Sequence, residues 1–377
     1  MENTYYETTD YGKTGTADHI GLPGDGGGSD PVKPGNTAPS EETRRIISRH
    51  FSRMGLGTVV ILLAASAVQI VLGLILNAAA PDAMENTSWA MWLVTFAPMY
   101  LVGVPLGLLI MRRAPSLPLE KESLSLGRYL VIILISIFMM YAGNLVGMAI
   151  QSVVEKLVGF VPGNPLDEYV SGDSLVLQIL FMVILAPLIE EFIFRKTLID
   201  RMHPYGEKLA VVTTAAMFGL FHGNLSQMFY AFTLGLVFGY VYLRTGKLRY
   251  TVGLHMLINL LGGVVGPKLM EWADASSGGL SELEDLDLTD LSDLAQMDVS
   301  SAVTPGAIAA GLYSAVMIGC AIAGLVLLII RSRRLTFRPA TLELGKGQRF
   351  RTAWLNPGML LFAVVCLLMV VSTFLTL

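Results

Sequence analysis

The sequence predicts an all-α, polytopic membrane helix bundle with about nine transmembrane helices and a cytoplasmic N-terminus. Three observations predict it. Of the 377 residues, 53% are hydrophobic and only 15% charged, a balance too apolar for the surface of a soluble globular protein. The apolar residues gather into segments long enough to cross hydrocarbon, which takes about 20 residues of helix. Lys and Arg recur on every second loop, as cytoplasmic loops demand.

The first stretch is polar. Residues 1–45 contain no apolar run of the kind a cleaved signal peptide needs, and their Gly, Pro, Ser and Asp content, as in Leu22 to Ser40, buries too little apolar area to offset the entropy of ordering. They are expected to form a disordered cytoplasmic tail. Spanning helices are expected near 55–80, 89–111, 129–150, 174–194, 209–224, 226–243, 250–267, 307–330 and 355–377, the fifth being short. The chain then divides into the tail, an N-terminal group of three helices (50–173), a central core (174–267), an acidic loop (268–306) and two C-terminal helices (307–377).

Loop charges orient these segments. Arg44, Arg45, Arg49 and Arg53 precede the first, and Arg112, Arg113, Lys121 and Arg128 follow the second. Arg195, Lys196, Arg201 and Lys208 follow the fourth, Arg244, Lys247 and Arg249 the sixth, and Arg331, Arg333, Arg334 and Arg338 the eighth. Each even crossing therefore returns to the cytoplasm. The acidic stretch Glu271 to Asp298 falls outside, where Leu280 to Leu294 has the alternation of a short amphipathic helix for an exterior partner. Cys320 and Cys366 lie in apolar runs and read as small hydrophobes. Nothing in the charge pattern fits a nucleic acid; the partner it implies is the lipid bilayer.

Ionisable side chains at membrane depth are costly, so each needs a partner or a function. Glu190 and Glu191 end the fourth segment. Glu191 and Arg195 are spaced i,i+4 and meet on one face, whereas Glu190 points about 100° away and is left for chemistry. Both carboxylates also fit side chains that snorkel to the interface beside Lys196. His222 closes the fifth segment, a position equally suited to a satisfied core histidine. In the seventh, His255 and Asn259 stand one turn apart on one face, where an amide can also simply glue helices together.

Depth joins these residues. Glu191 and His222 are nearly equidistant in sequence from the turn Pro204-Tyr205-Gly206, so antiparallel helices meeting there place Glu190, Glu191 and His222 at one height. His255 lies about two turns, on the order of 10 Å, beyond the basic loop 244–249 and reaches the same level. The result is a shallow polar site open to the cytoplasm.

A carboxylate, two imidazoles and an amide support two kinds of hydrolysis. In one, Glu190, His222 and His255 bind a divalent metal, zinc by donor type, which acidifies a water. In the other, Glu190 and His222 activate water directly while His255 and Asn259 hold the developing oxyanion. No His-Glu-x-x-His, Gly-x-Ser-x-Gly or phosphate-binding glycine loop is present.

The segment from about Leu175 to Gly263 resembles the CAAX prenyl protease and bacteriocin-processing (CPBP/Abi) family of intramembrane metalloproteases. Three motifs carry the resemblance in order: Glu190-Glu191-x-x-x-Arg195, Phe218-x-x-x-His222 and His255-x-x-x-Asn259, with a glycine-rich helix, Ala231 to Lys247, between the last two. The resemblance implies an endopeptidase in which Glu190 and His222 activate water, His255 and Asn259 stabilise the oxyanion or complete a metal site, and Glu191 and Arg195 support them. It implies a membrane-associated or lipidated peptide or protein as substrate and, through its bacterial branch, a plasma-membrane location. It covers about a quarter of the chain. A non-catalytic immunity or scaffold protein of the same fold is the main alternative. An ion-coupled transporter fits less well, since no internal repeat places a site at the bilayer midplane.

Overall fold

The computed structural model describes residues 39–82, 88–163, 174–277, 304–338, 340 and 344–375. Most of the expected tail, most of the acidic loop and its Leu280–Leu294 alternation lie outside these residues. Every described element is helical: α1 (Glu41–Ala79), α2 (Ser88–Pro98, continuing through a π-helical turn, Met99–Gly103, into Val104–Met111) and α3 (Leu126–Val158). The fourth helix, α4, is a chain of short pieces, Leu175–Gln178, π-helical Ile179–Leu185, Ala186–Glu191, π-helical Phe192–Ile199 and a last turn ending at Tyr205. Then come α5 (Glu207–Phe221), α6 (Leu225–Thr245), α7 (Leu248–Leu260, π-helical Leu261–Val265, Gly266–Ser277), α8 (Pro305–Ser332), α9 (Lys346–Trp354) and α10 (Pro357–Ser372).

Each of the nine expected segments falls on a described helix. Seven described helices are long and apolar enough to cross a membrane, and the pair α9–α10, bent by 70°, makes an eighth if counted as one. The fifth segment, α5, has 15 residues, about 22 Å of helix against about 30 Å of hydrocarbon. The last, α10, has 16. The first helix, α1, begins at Glu41, inside the stretch 1–45 read as disordered. Ser40 caps it by accepting from Thr43 N at 3.1 Å, and Glu41 pairs with Arg44 and Arg45 on the first turn.

The basic loops meet at one end of the bundle. Arg53 Nη1 donates to Arg113 O, Arg201 Nε to Met111 O and Lys247 Nζ to Ser123 Oγ. The segment 112–125 is strapped across this end by Leu117 N to Asp200 O and Glu122 N to Thr245 O, both 2.8 Å. Glu207 receives Arg244 and the Arg338 amide there. This is the gathering that the alternating loop charges require.

Close helix approach brings the catalytic-looking residues together. At Gly219 a Cβ would stand 2.5 Å from Met228 O, so α5 and α6 touch backbone to backbone just before His222. Gly223, at φ +64°, then turns the chain in the left-handed region and frees α6 to begin at the Asn224 cap. Gly219→Val is expected to cost about 1–3 kcal/mol by overpacking. Thermal unfolding of the variant in detergent checks this, and an unchanged midpoint contradicts it.

Candidate active site

Among the described residues, three of the four π-helical turns end two residues before a proline. Val104 N donates to Met99 O, Ala186 N to Phe181 O and Gly266 N to Leu261 O, each a five-residue step, and Pro105, Pro187 and Pro267 follow. A proline has no N–H and its ring collides with the carbonyl four residues back, so the ladder slips by one residue instead of breaking. In the slipped register, residue 187 would serve the carbonyl of Met182. Pro187 cannot. Asn259 Nδ2 donates to that carbonyl instead, at 2.9 Å.

Glu190, Glu191, His222 and His255 meet beside the π-helical turn of α4. Glu191 is fully buried and Glu190, its neighbour, is 22% exposed. His255 lies against both: its Nδ1 is 3.0 Å from Glu191 Oε1 and its Nε2 3.7 Å from Glu190 Oε2. A carboxylate accepts, so Nδ1–H donates to Glu191 and the Nε2 lone pair faces Glu190. His222 is oriented in the same way, its Nδ1–H donating to Phe218 O at 2.8 Å and leaving Nε2 bare.

Phe218 joins the two imidazoles. His222 and His255 both meet its ring edge to face, with centroids 5.1 and 5.7 Å away. Arg195 lies over the same ring at 4.8 Å and over Phe238 at 5.7 Å. The guanidinium is fully buried, and its Nε stands 3.0 Å from Glu191 Oε2. The buried guanidinium is held by that ion pair and by the two aromatic faces. The α4–α5 hairpin is held by Phe194 against Phe218 and Phe221, at 5.0 and 5.3 Å.

The sequence reading missed two residues here. Tyr100, on the π-helical turn of α2, and Tyr230, on α6, both lie within electrostatic reach of Glu190. The Tyr100 hydroxyl is buried and has no hydrogen-bond partner. Its signal was Pro98 and Pro105 on either side of it in an apolar run. A metal is a poorer fit. Donor types suit zinc, but among the described residues no three His, Cys, Asp or Glu side chains converge closely enough to hold one ion.

Residues 172–261 match the family model described as Type II CAAX prenyl endopeptidase Rce1-like. The matched stretch contains Glu190, Glu191, Arg195, Phe218, His222, Tyr230, Phe238, His255 and Asn259 but not Tyr100, and its likeness to an Rce1-like CAAX endopeptidase domain is consistent with the CPBP/Abi resemblance. Neither the curated proteins nor the solved structures give a significant match.

Breaking a buried ion pair strands a charge. Glu191→Gln or Arg195→Met alone is expected to cost about 3–5 kcal/mol, and the two together less than the sum. Denaturant unfolding of the four proteins in this cycle measures the coupling; additive costs would show that the pair does not act as one.

Proposed function

We propose that the protein is an intramembrane endopeptidase that hydrolyses a peptide bond of a membrane-associated or lipidated protein, with its site opening to the cytoplasm. The observation that carries this reading is the division between adjacent carboxylates. Glu191 is spent on Arg195 and His255, whereas Glu190 is partly exposed beside a bare imidazole nitrogen. The family match supports the reaction class.

Glu190 takes a proton from a water whose other hydrogen is accepted by His222 Nε2. The hydroxide attacks the scissile carbonyl carbon, and the carbonyl electron pair moves to oxygen. Asn259, through the amide N–H not used on Met182 O, and His255, whose Nε2 shares the proton that Glu190 has taken from the water, hold that oxyanion. Collapse of the tetrahedral species breaks the C–N bond, and Glu190 passes its proton to the leaving amine. Glu191 and Arg195 keep His255 in place. Each of these steps uses the chain's own side chains.

Glu190→Gln is expected to lower cleavage of a fluorogenic peptide ending in a prenylated Cys and three further residues by about 10³-fold or more, with folding intact. Retained cleavage would return the protein to a non-catalytic role. Prior incubation with a strong zinc chelator is expected to leave the parent's rate within about twofold, since the mechanism needs no ion. Loss of activity that added zinc restores would replace it with the metal form.

A further inference from the structure

The donors of the site are almost all committed before a substrate arrives. Nδ1–H of His222 goes to Phe218 O, Nδ1–H of His255 to Glu191, and one amide N–H of Asn259 to Met182 O. The Tyr230 hydroxyl is bonded to Gln227. Tyr100 alone among these brings a buried hydroxyl with no partner. An orphaned buried hydroxyl is destabilising, and native structures keep one mainly where a bound group completes it.

Its position in the fold points the same way. Phe96, one turn before Tyr100, packs on Phe181 of α4 with centroids 5.1 Å apart, and Trp92 stacks on Phe181 at 5.4 Å. This aromatic contact joins the α-helical turn of α2 that leads into Tyr100 to the π-helical turn of α4 that leads into Glu190. Tyr100 thereby comes within reach of Glu190's charge from outside the stretch that matches the family. A phenol donates one hydrogen and stays neutral at ordinary pH, so it can serve a developing oxyanion without first acquiring a proton.

We propose that Tyr100 is a further catalytic residue, whose O–H donates to the scissile carbonyl oxygen as that oxygen becomes negative. This rests on the peptidase reading. The hydroxyl is uncompensated in the free protein and gains its acceptor only as the tetrahedral species forms, which is the differential binding that lowers a barrier.

The test is Tyr100→Phe in the full chain, reconstituted in lipid, with the same prenylated fluorogenic peptide. Expected are a fall in kcat of about 10²-fold, KM within about threefold, and a melting temperature equal to or above the parent's, because an unpartnered hydroxyl has been removed. A purely structural tyrosine would instead lose stability and activity together. An active parent with an equally active Tyr100→Phe, or a melting temperature that falls with activity, overturns the assignment. A parent that cleaves no faster than Glu190→Gln overturns the peptidase reading, and this proposal with it.

Discussion

The buried Glu191–Arg195 pair is the constraint on which the site depends. A charge taken into a protein inside a bilayer is costly, and a partner removed from such a pair is costlier than the pair itself. Here both members stand on one helix turn, so the pair forms wherever α4 is helical and needs no distant element to bring it together. Its neighbours then have to be fitted to it. Phe218 and Phe238 offer their faces to the guanidinium, and His255 offers Nδ1–H to the other carboxylate oxygen. Three helices, α5, α6 and α7, are thereby committed to one register against α4.

Proline supplies the second constraint. Pro105, Pro187 and Pro267 each shift a helix ladder by one residue, and each shift lies close to the site. A slipped turn widens the helix, turns the following residues by about one position and leaves a carbonyl to be satisfied from elsewhere. Asn259 meets that need at Met182. The amide therefore has a structural task that can be separated from any catalytic one: one hydrogen locks α7 to α4, and the other remains for chemistry.

Much of this was legible from spacing, and the parts that were not have identifiable causes. The i,i+4 relation of Glu191 and Arg195 and the equal arms around Pro204–Gly206 foretold the ion pair and the common height of Glu190 and His222. Loop charges foretold which ends of the helices meet. Hydropathy does not register that α5 stops at Phe221, or that α9 and α10 bend at Leu355–Asn356. Asn259's carbonyl partner depends on a ladder slip, a property of the folded backbone. Tyr100 was missed because a tyrosine in an apolar helix has many bland roles; only the lack of any partner for its hydroxyl marks it.

The two adjacent glutamates show how one short helical stretch can carry both a buried, paired carboxylate and a partly exposed one. A carboxylate held between a guanidinium and an imidazole N–H is stabilised as an anion, which makes it a poor base and a good anchor. Its neighbour, about 100° further around the helix, sees neither partner at hydrogen-bond distance and keeps access to the site's open side. Exchanging the two residues' surroundings would exchange their roles, although the residue type is the same. The matched stretch, 172–261, contains both carboxylates, whereas Tyr100, which lies within electrostatic reach of Glu190, stands on α2 outside it.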